Sequence, residues 1–199
     1  MKAYKDFIVS PIGERYNNSK KVGDKNLILN TEVFNHQYVN RLAKVIATPI
    51  LFQSPINVGD EVIVHHNVFR RWHDVKGREK NSRSYLEENK YLISEDQIYL
   101  YKKNDWIAMP GFSFIKPLKN TNKYNNEDEQ QLVGIVKYSD GTFSKEELIG
   151  YSPRIQCEDF INGERLYRVL NKFTTIKYEY QGNEEEYNPS WAQSSWRIN

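Results

Sequence analysis

The sequence predicts an all-β protein with little helix, on three observations. Strand-favouring residues are frequent, with 14 Tyr and 9 Phe among 199 residues and many Ile, Val and Thr beside them. Short runs of these residues are closed by Pro or Gly, which mark strand ends and turns. The same order of runs then occurs a second time along the chain, which predicts two domains of similar architecture.

The first half contains five predicted strands. The first is a short run that Pro11 ends, and the second is a long alternating run that Thr48-Pro49 ends. A turn at Gly59-Asp60 leads into the third strand. A polar corner beginning at Ser94 separates the last two. The five predicted strands are 7–9, 38–47, 61–65, 91–93 and 98–101.

Residues 68–90 form a charged stretch between the third and fourth strands, which we call the excursion. Its many basic and acidic side chains predict an exposed hairpin about the turn at Lys76-Gly77. The alternative is a patch for single-stranded nucleic acid, because aromatic side chains alternate with arginines there. The residues of that alternative are Arg70, Arg71, Trp72, Arg83 and Tyr85. The near-neutral chain favours the solvated hairpin.

Between the first two strands lies a polar stretch, 16–31, that carries too little apolar surface in residues 17–26 to offset the entropy of ordering it. It is predicted to be a mobile loop. At its far end, Leu27, Ile28 and Leu29 stand together between Asn26 and Asn30. This aliphatic tripeptide has two interpretations: a short core strand, or a hook that binds another molecule.

The second half repeats the first. A strand that ends on Pro117 and an aliphatic residue matches the run that ends at Pro11, and four further runs follow in the same order. The second set of predicted strands is 112–118, 132–137, 147–151, 166–170 and 175–178. The predicted domains are 1–105, containing the loop and the excursion, a degenerate second copy at 106–180, and an extended tail at 181–199 that packs on a neighbour or frays.

Composition limits the classes of function. A net charge of +2 from 28 basic and 26 acidic residues gives no sustained field for nucleic acid or a membrane surface. The single cysteine, Cys157, rules out an intramolecular disulfide and fits a reducing compartment. No apolar run is long enough to span a bilayer, and no signal-type segment follows Met1. We expect a soluble, cytoplasmic protein.

No constellation of residues predicts catalysis. His65, His66 and His73 with Asp74 suggest a metal cluster, but adjacent histidines on a strand point to opposite faces, which favours ordinary surface histidines. Cys157 lacks a histidine partner and is predicted to be an unreactive thiol on a loop. A phosphate-binding glycine loop is absent from the sequence. We expect a protein that is not an enzyme, with no catalytic residues, metal or cofactor.

The ordered set of motifs in the first half resembles the co-chaperonin (GroES-like) family. The resemblance covers 5–102 well and 111–180 more faintly. The residues that carry it are 7–11, the tripeptide 27–29, 41–47, the Val-Gly-Asp strand 58–64, and Leu-Ile-Ser-Glu-Asp-Gln-Ile at 92–98. The Val-Gly-Asp turn is common, so the order of the set makes the resemblance specific.

This resemblance implies two tandem small, irregular antiparallel β-barrels and a ring-shaped homo-oligomer, usually of seven folds, that caps a chaperonin and encloses a folding client. It also implies that Leu27, Ile28 and Leu29 bind an apolar groove on the chaperonin's apical domain. Three departures stand out. Residues 47–58 are too short for a roof hairpin, the excursion is long enough to replace one, and residues 120–131 hold no apolar triplet, so the second copy is expected not to bind chaperonin.

A tandem, roof-poor chain rich in Asn, Lys and Ile is similar to co-chaperonins encoded by bacteriophages, which would place it in the host cytoplasm. A rival of a different class is a structural β-subunit or adaptor of a phage particle that forms rings without a chaperonin. The state of the 17–31 stretch discriminates between the two: a free stretch favours a hook, and a packed stretch favours a structural strand.

Overall fold

The structure, a computed structural model, describes residues 2–16, 19–28, 38–121, 128–152 and 156–187. The predicted all-β class is confirmed, and no helix of seven residues or more is found in these ranges. Short 3-10 turns occur at Glu95–Gln97 and Asn171–Phe173. None of the helices in the described part of the chain has the length and apolar character needed to cross a membrane.

The chain divides into two compact units, Met1–Trp106 and Ile107–Asn199. The first unit contains six strands of a seven-stranded sheet, and the seventh strand begins at Trp106, the last residue of this unit. The strands of this sheet are β1 (Phe7–Pro11), β4 (Leu42–Ala47), β5 (Glu61–Val64), β8 (Tyr85–Glu87), β9 (Lys90–Ile93), β10 (Ile98–Lys102) and β11 (Trp106–Ala108). They lie in the order β11-β10-β5-β4-β1-β9-β8. The first unit also contains two hairpins that are separate from this sheet. One pairs β2 (Ser19–Val22) with β3 (Lys25–Ile28), and the other pairs β6 (Arg71–His73) with β7 (Glu79–Asn81).

The second unit is built on a six-stranded sheet. Its strands are β12 (Phe112–Lys119), β13 (Glu129–Ser139), β14 (Leu148–Tyr151), β15 (Gln156–Ile161), β16 (Glu164–Leu170) and β17 (Thr174–Lys177). They lie in the order β15-β16-β12-β13-β14-β17. Both sheets are open, with a strand at each end of the order, so the expectation of closed barrels is wrong. In the first sheet the end strands β8 and β11 have three residues each, too few to form a long pairing that would close a barrel.

The predicted strands are present, with shifted ends. Alternation places Ala43, Val45 and Ala47 of β4 in the core, as the period of two requires. The strand predicted at 38–47 begins only at Leu42. At Asn40 it is the side-chain amide that donates to the carbonyl oxygens of residues 12 and 14, both at 2.8 Å, so regular strand pairing does not extend back to residue 38.

The two sheets share one strand order. Reading from β10 to β8 in the first gives β10-β5-β4-β1-β9-β8, and reading from β17 to β15 in the second gives β17-β14-β13-β12-β16-β15. In both units the six strands follow one another along the chain in the same sequence, and a 3-10 turn precedes the last. The duplication predicted from the sequence therefore has a counterpart in topology.

The match extends to the register of the strands. The pairing of β1 with β4 shifts between Ile8 and Val9, and the pairing of β12 with β13 shifts between Phe114 and Ile115. Counting from these irregularities, Tyr91 of β9 and Tyr167 of β16 occupy equivalent positions, because they pair with Val9 and Ile115 respectively. Both tyrosines are buried.

The turn before the third strand is also the same in both units. The backbone N–H of Asn57 donates to the Asp60 carboxylate at 2.8 Å, and that of Ser144 donates to the Glu147 carboxylate at 2.9 Å. A carboxylate that accepts a backbone N–H three residues earlier stabilises a tight turn. The sequence signal was visible only in the first unit, as Gly59-Asp60.

Candidate functional site

The aliphatic tripeptide begins on a hairpin. Residues 19–28, predicted to be part of a loop, form β2 and β3, which pair from Ser19 with Ile28 to Val22 with Lys25. The two residues between the strands make the turn, and Gly23 there has φ +60°, a conformation that glycine adopts without strain. We call β2 and β3 the hook hairpin.

The Leu27 side chain lies at the surface of the hook hairpin, with 55% of it exposed. It is therefore not sealed inside the first unit. The Ile28 backbone ends β3 opposite Ser19. Leu29, the third member of the predicted site, lies outside the described residues.

The chain enters and leaves the hook region through a closed base. Tyr16 and Val39 form an antiparallel bridge, and the N–H of Asn40 donates to the carbonyl oxygen of Arg15 at 2.9 Å. Tyr16 and Val39 are buried, at 7% and 3% exposure, and so is Asn40, at 5%. We call Arg15, Tyr16, Val39 and Asn40 the loop base. No local pattern predicts the loop base, since its residues come from both sides of the loop.

The second unit has a loop at the equivalent place, and its base is closed as well. The N–H of Asn120 donates to the carbonyl oxygen of Asp128 at 3.0 Å. Residues 129–131, predicted to belong to this loop, are instead the start of β13. The residues from 122 to 127 lie outside the described ranges.

A network of charges surrounds Tyr167 in the second unit. The Tyr167 hydroxyl donates to Glu129 at 2.5 Å, and Arg165 forms ion pairs with Glu129 at 2.9 Å and Glu158 at 2.8 Å. Burial first, and the Glu129 carboxylate next, raise the pKa of Tyr167 well above its usual range. The hydroxyl is thus held neutral as a hydrogen-bond donor, which suits a structural contact and not a nucleophile.

The histidines are placed differently from the prediction. Because β5 ends at Val64, His65 and His66 lie in a turn and their rings stack with centroids 4.2 Å apart, so the expectation of opposite faces is wrong. His73 lies on β6, and Asp74 next to it accepts N–H bonds that close the β6–β7 turn. Within the described ranges, no group of three or more His, Cys, Asp or Glu side chains is placed to hold a metal ion.

Cys157 lies on strand β15, opposite Arg168, and not on a loop as predicted. It is partly buried as a free thiol. Its neighbours along the strand, Glu158 and Asp159, pair with arginines of β16. The sequence of β15 reads as polar because it is an edge strand whose side chains meet those arginines.

The predicted hairpin in the excursion is confirmed, with β6 and β7 paired around Gly77. Two residues of the nucleic-acid alternative are engaged within the protein. The Trp72 ring N–H donates to the carbonyl oxygen of Asn81 at 3.0 Å, and the Tyr85 ring packs edge-on against Tyr91. Trp72 and Tyr85 nevertheless remain 45% and 38% exposed, so the nucleic-acid alternative stays a prediction.

The start of the predicted tail packs onto the second unit. Glu186 bridges Leu118 of β12, and the N–H of Tyr187 donates to the carbonyl oxygen of Pro117 at 2.8 Å. The acidic run then meets lysines: Glu185 pairs with Lys119 at 3.0 Å, and Glu186 pairs with a lysine of β13 at 2.5 Å. Trp191 and Trp196 lie outside the described residues.

The hook hairpin combines an exposed aliphatic side chain, a strand pair separate from the seven-stranded sheet, and a base closed by hydrogen bonds. Such an arrangement can offer a side chain to a partner while the rest of the unit stays folded. Comparison of the chain with protein-family models, with curated proteins and with solved structures gave no match.

Proposed function

We propose that this chain is a co-chaperonin, which caps a chaperonin ring and encloses a folding client. Leu27, Ile28 and Leu29 bind an apolar groove on the chaperonin's apical domain. The observation that most directly supports the proposal is the 55% exposure of Leu27 on the hook hairpin. An exposed aliphatic side chain gains free energy when a partner covers it.

The free energies suit a reversible contact. Burying three aliphatic side chains contributes about 1.5–3 kcal/mol each. Ordering a free backbone costs about 1–2 kcal/mol per residue, which would cancel that gain over a loop of ten residues. The paired strands of the hook hairpin reduce the cost, because Ser19–Val22 and Lys25–Ile28 are already ordered. An isolated two-stranded hairpin is only marginally stable, so it can still adjust to a groove.

Tight capping then comes from symmetry. In the proposed ring, several identical hooks face several identical grooves, and each contact after the first is intramolecular. Individually weak contacts add up to strong binding. A modest change in the chaperonin releases the cap, because each hook binds weakly.

The second unit has a different place in this proposal. Its loop sequence, 120–131, contains no apolar triplet, so it offers no hook. We therefore assign chaperonin contact to the first unit alone. The chain acts in the cytoplasm, which is the host cytoplasm if a bacteriophage encodes it.

The test is to mix the full chain with a purified bacterial chaperonin and ADP or ATP, and to measure the mass of the assembly by native mass spectrometry. The proposal predicts a complex of chaperonin with a ring of this chain. It also predicts that Ile28→Asp abolishes the complex and leaves the ring intact, because a charge cannot enter an apolar groove without a large desolvation cost.

Two outcomes would overturn the proposal. A ring that binds no chaperonin would identify a structural ring subunit, the rival class. Binding of Ile28→Asp as tight as that of the natural chain would remove the hook from the contact.

Steeply salt-dependent binding of a single-stranded oligonucleotide, in the absence of chaperonin binding, would instead favour the excursion as a nucleic-acid surface.

A further inference from the structure

The excursion is attached to the loop base through Arg15. The Arg15 guanidinium donates two hydrogen bonds to the carbonyl oxygen of Phe69, at 3.1 and 2.9 Å, and a third to the Asn81 side chain at 2.8 Å. It also lies over the Tyr91 ring, 5.4 Å from the centroid. Phe69 itself is fully buried and packs edge-on against Tyr91 at 4.8 Å. The Arg15 side chain thus joins the loop base to both ends of the β6–β7 hairpin and to β9.

Tyr16 makes a second attachment, next to the first. Its hydroxyl accepts a hydrogen bond from the backbone N–H of Arg71 at 2.6 Å, and the Arg71 guanidinium lies over the Tyr16 ring at 4.9 Å. Arg71 is held in turn by an ion pair with Glu79 across the β6–β7 hairpin, at 3.0 Å. Tyr16 also bridges Val39, so this contact reaches both sides of the loop base.

The position of these contacts distinguishes two roles for the excursion, support of the loop base and closure of a dome. The loop base lies at the Leu42 end of β4, whereas residues 48–58, where a roof would lie, follow the opposite end at Ala47. The excursion packs at the loop-base end. Its position favours support of the loop base over closure of a dome.

The second unit provides a comparison within the same chain. Tyr167 of the second unit occupies the position that Tyr91 has in the first. Its ring also lies under a guanidinium, that of Arg165, 5.0 Å from the ring centroid. However, the connection between the third strand and the following edge strand is 65–84 in the first unit and only 152–155 in the second. The long connection therefore occurs in the unit whose loop carries the aliphatic tripeptide.

We propose that the excursion is a brace that fixes the direction in which the hook hairpin leaves the first unit, with Arg15 as its main positioning residue. The planar guanidinium suits this role, because its fixed fork of donors holds two acceptors at once. A fixed base reduces the conformational freedom that the hook loses on binding. The consequence for binding rests on the proposed function, whereas the brace itself does not.

The brace is tested with spin labels on the full chain. One spin label is attached at Lys25→Cys on the hook hairpin and the other at Lys44→Cys on β4, in a Cys157→Ser background. Double electron–electron resonance then measures the distribution of distances between the two labels. We expect Arg15→Ala to broaden the distribution or shift its mean. Lys2→Ala, which removes one positive charge from the exposed amino-terminal end, should leave the distribution unchanged.

Two milder variants keep the test informative if Arg15→Ala does not fold. Arg15→Lys retains the charge and loses the fork, and Asn81→Ala removes one acceptor. Each should broaden the distribution less than Arg15→Ala while the circular dichroism spectrum stays that of the natural chain. An unchanged distribution in all variants that fold would overturn the brace.

Chaperonin affinity gives a second readout. Arg15→Ala should bind a purified chaperonin about tenfold more weakly, which corresponds to about 1.4 kcal/mol. If the natural chain binds no chaperonin, the proposed function fails while the label distances still decide the brace. If the natural chain binds and Arg15→Ala binds equally well despite a broadened distribution, the brace has no part in presenting the hook.

Discussion

The hydroxyl of Tyr16 accepts a hydrogen bond from the backbone N–H of Arg71, 55 positions further along the chain, at 2.6 Å. This bond joins the loop base to the excursion. Tyr16→Phe removes the acceptor and leaves the ring in place. We expect the free energy of unfolding to fall by about 0.5–1.5 kcal/mol, the usual net contribution of such a bond.

The local effect of Tyr16→Phe is measured by hydrogen exchange at the Arg71 amide, which should become faster. Tyr4→Phe is the matched control, because Tyr4 is 72% exposed and the same oxygen is lost there. Exchange at Arg71 that is equally slow in both variants would contradict a stabilising role for the bond.

Two glycines allow the same substitution to be compared in two surroundings. A Cβ at Gly134 would lie 2.4 Å from the backbone oxygen of Lys116, so Gly134→Ala forces backbone to move. A Cβ at Gly150 would meet the Tyr178 ring at 2.8 Å, and that ring is 38% exposed and can turn away. We expect Gly134→Ala to destabilise the second unit by about 1–3 kcal/mol and Gly150→Ala by less.

This pair is measured by urea denaturation followed by circular dichroism. The equivalent position in the first unit is Ala43, whose side chain is fully buried, so a Cβ is tolerated there. Equal destabilisation by Gly134→Ala and Gly150→Ala would show that the backbone contact at Gly134 relaxes as easily as a side chain.

Asp140 should contribute to stability in a pH-dependent way. Burial alone would raise the pKa of this carboxyl, but hydrogen bonds from Thr142, the Gly111 N–H and Asn171 lower it below its usual value. A carboxyl whose pKa is lower in the folded state stabilises the fold above its unfolded pKa and loses that contribution as the pH falls through the folded pKa.

We therefore expect Asp140→Asn to lower stability at neutral pH and to flatten the loss of stability below about pH 4. The measurement is the urea midpoint between pH 2 and 7. Glu88→Gln, at an exposed turn, controls for the change in net charge. A urea midpoint that falls as steeply with decreasing pH in Asp140→Asn as in the natural chain would contradict the prediction.

The amino-terminal part of the tail can be tested through its backbone. Tyr187→Pro removes the N–H that donates to the carbonyl oxygen of Pro117, whereas Tyr187→Ala keeps it. The Lys119 amide, which donates to the carbonyl oxygen of Glu185 at 2.7 Å, reports whether the segment stays in place. Its hydrogen exchange should be faster in Tyr187→Pro than in Tyr187→Ala, and equal rates would mean that side chains hold the segment.

Much of the fold could be predicted because alternation and Pro or Gly breaks are local signals. Such signals located the β4 run and the strand ending at Pro11, although the strand ends were shifted. The edge strands β11 and β15 were missed, since one has only three residues and the other reads as polar. Strand order and open edges depend on contacts between distant residues.

The candidate site was only partly predictable. The hook hairpin had a signal, Gly23-Asp24 between two four-residue runs, which is a common hairpin turn. The polar character of the flanking residues predicted a mobile loop instead. The attachment of Arg15 to Phe69 joins residues 54 positions apart, and no local pattern announces it.

The central claim is that Leu27 belongs to a chaperonin-binding hook, and one comparison tests it most directly. Leu27→Asp and Val58→Asp place the same charge at exposed aliphatic positions, 55% and 62% exposed, and only the first lies on the hook hairpin. Binding of each variant to a purified chaperonin with nucleotide is measured by fluorescence anisotropy of the labelled chain. We expect Leu27→Asp to lose binding while Val58→Asp binds like the natural chain. Binding of Leu27→Asp as tight as that of Val58→Asp would contradict a role of Leu27 in the contact.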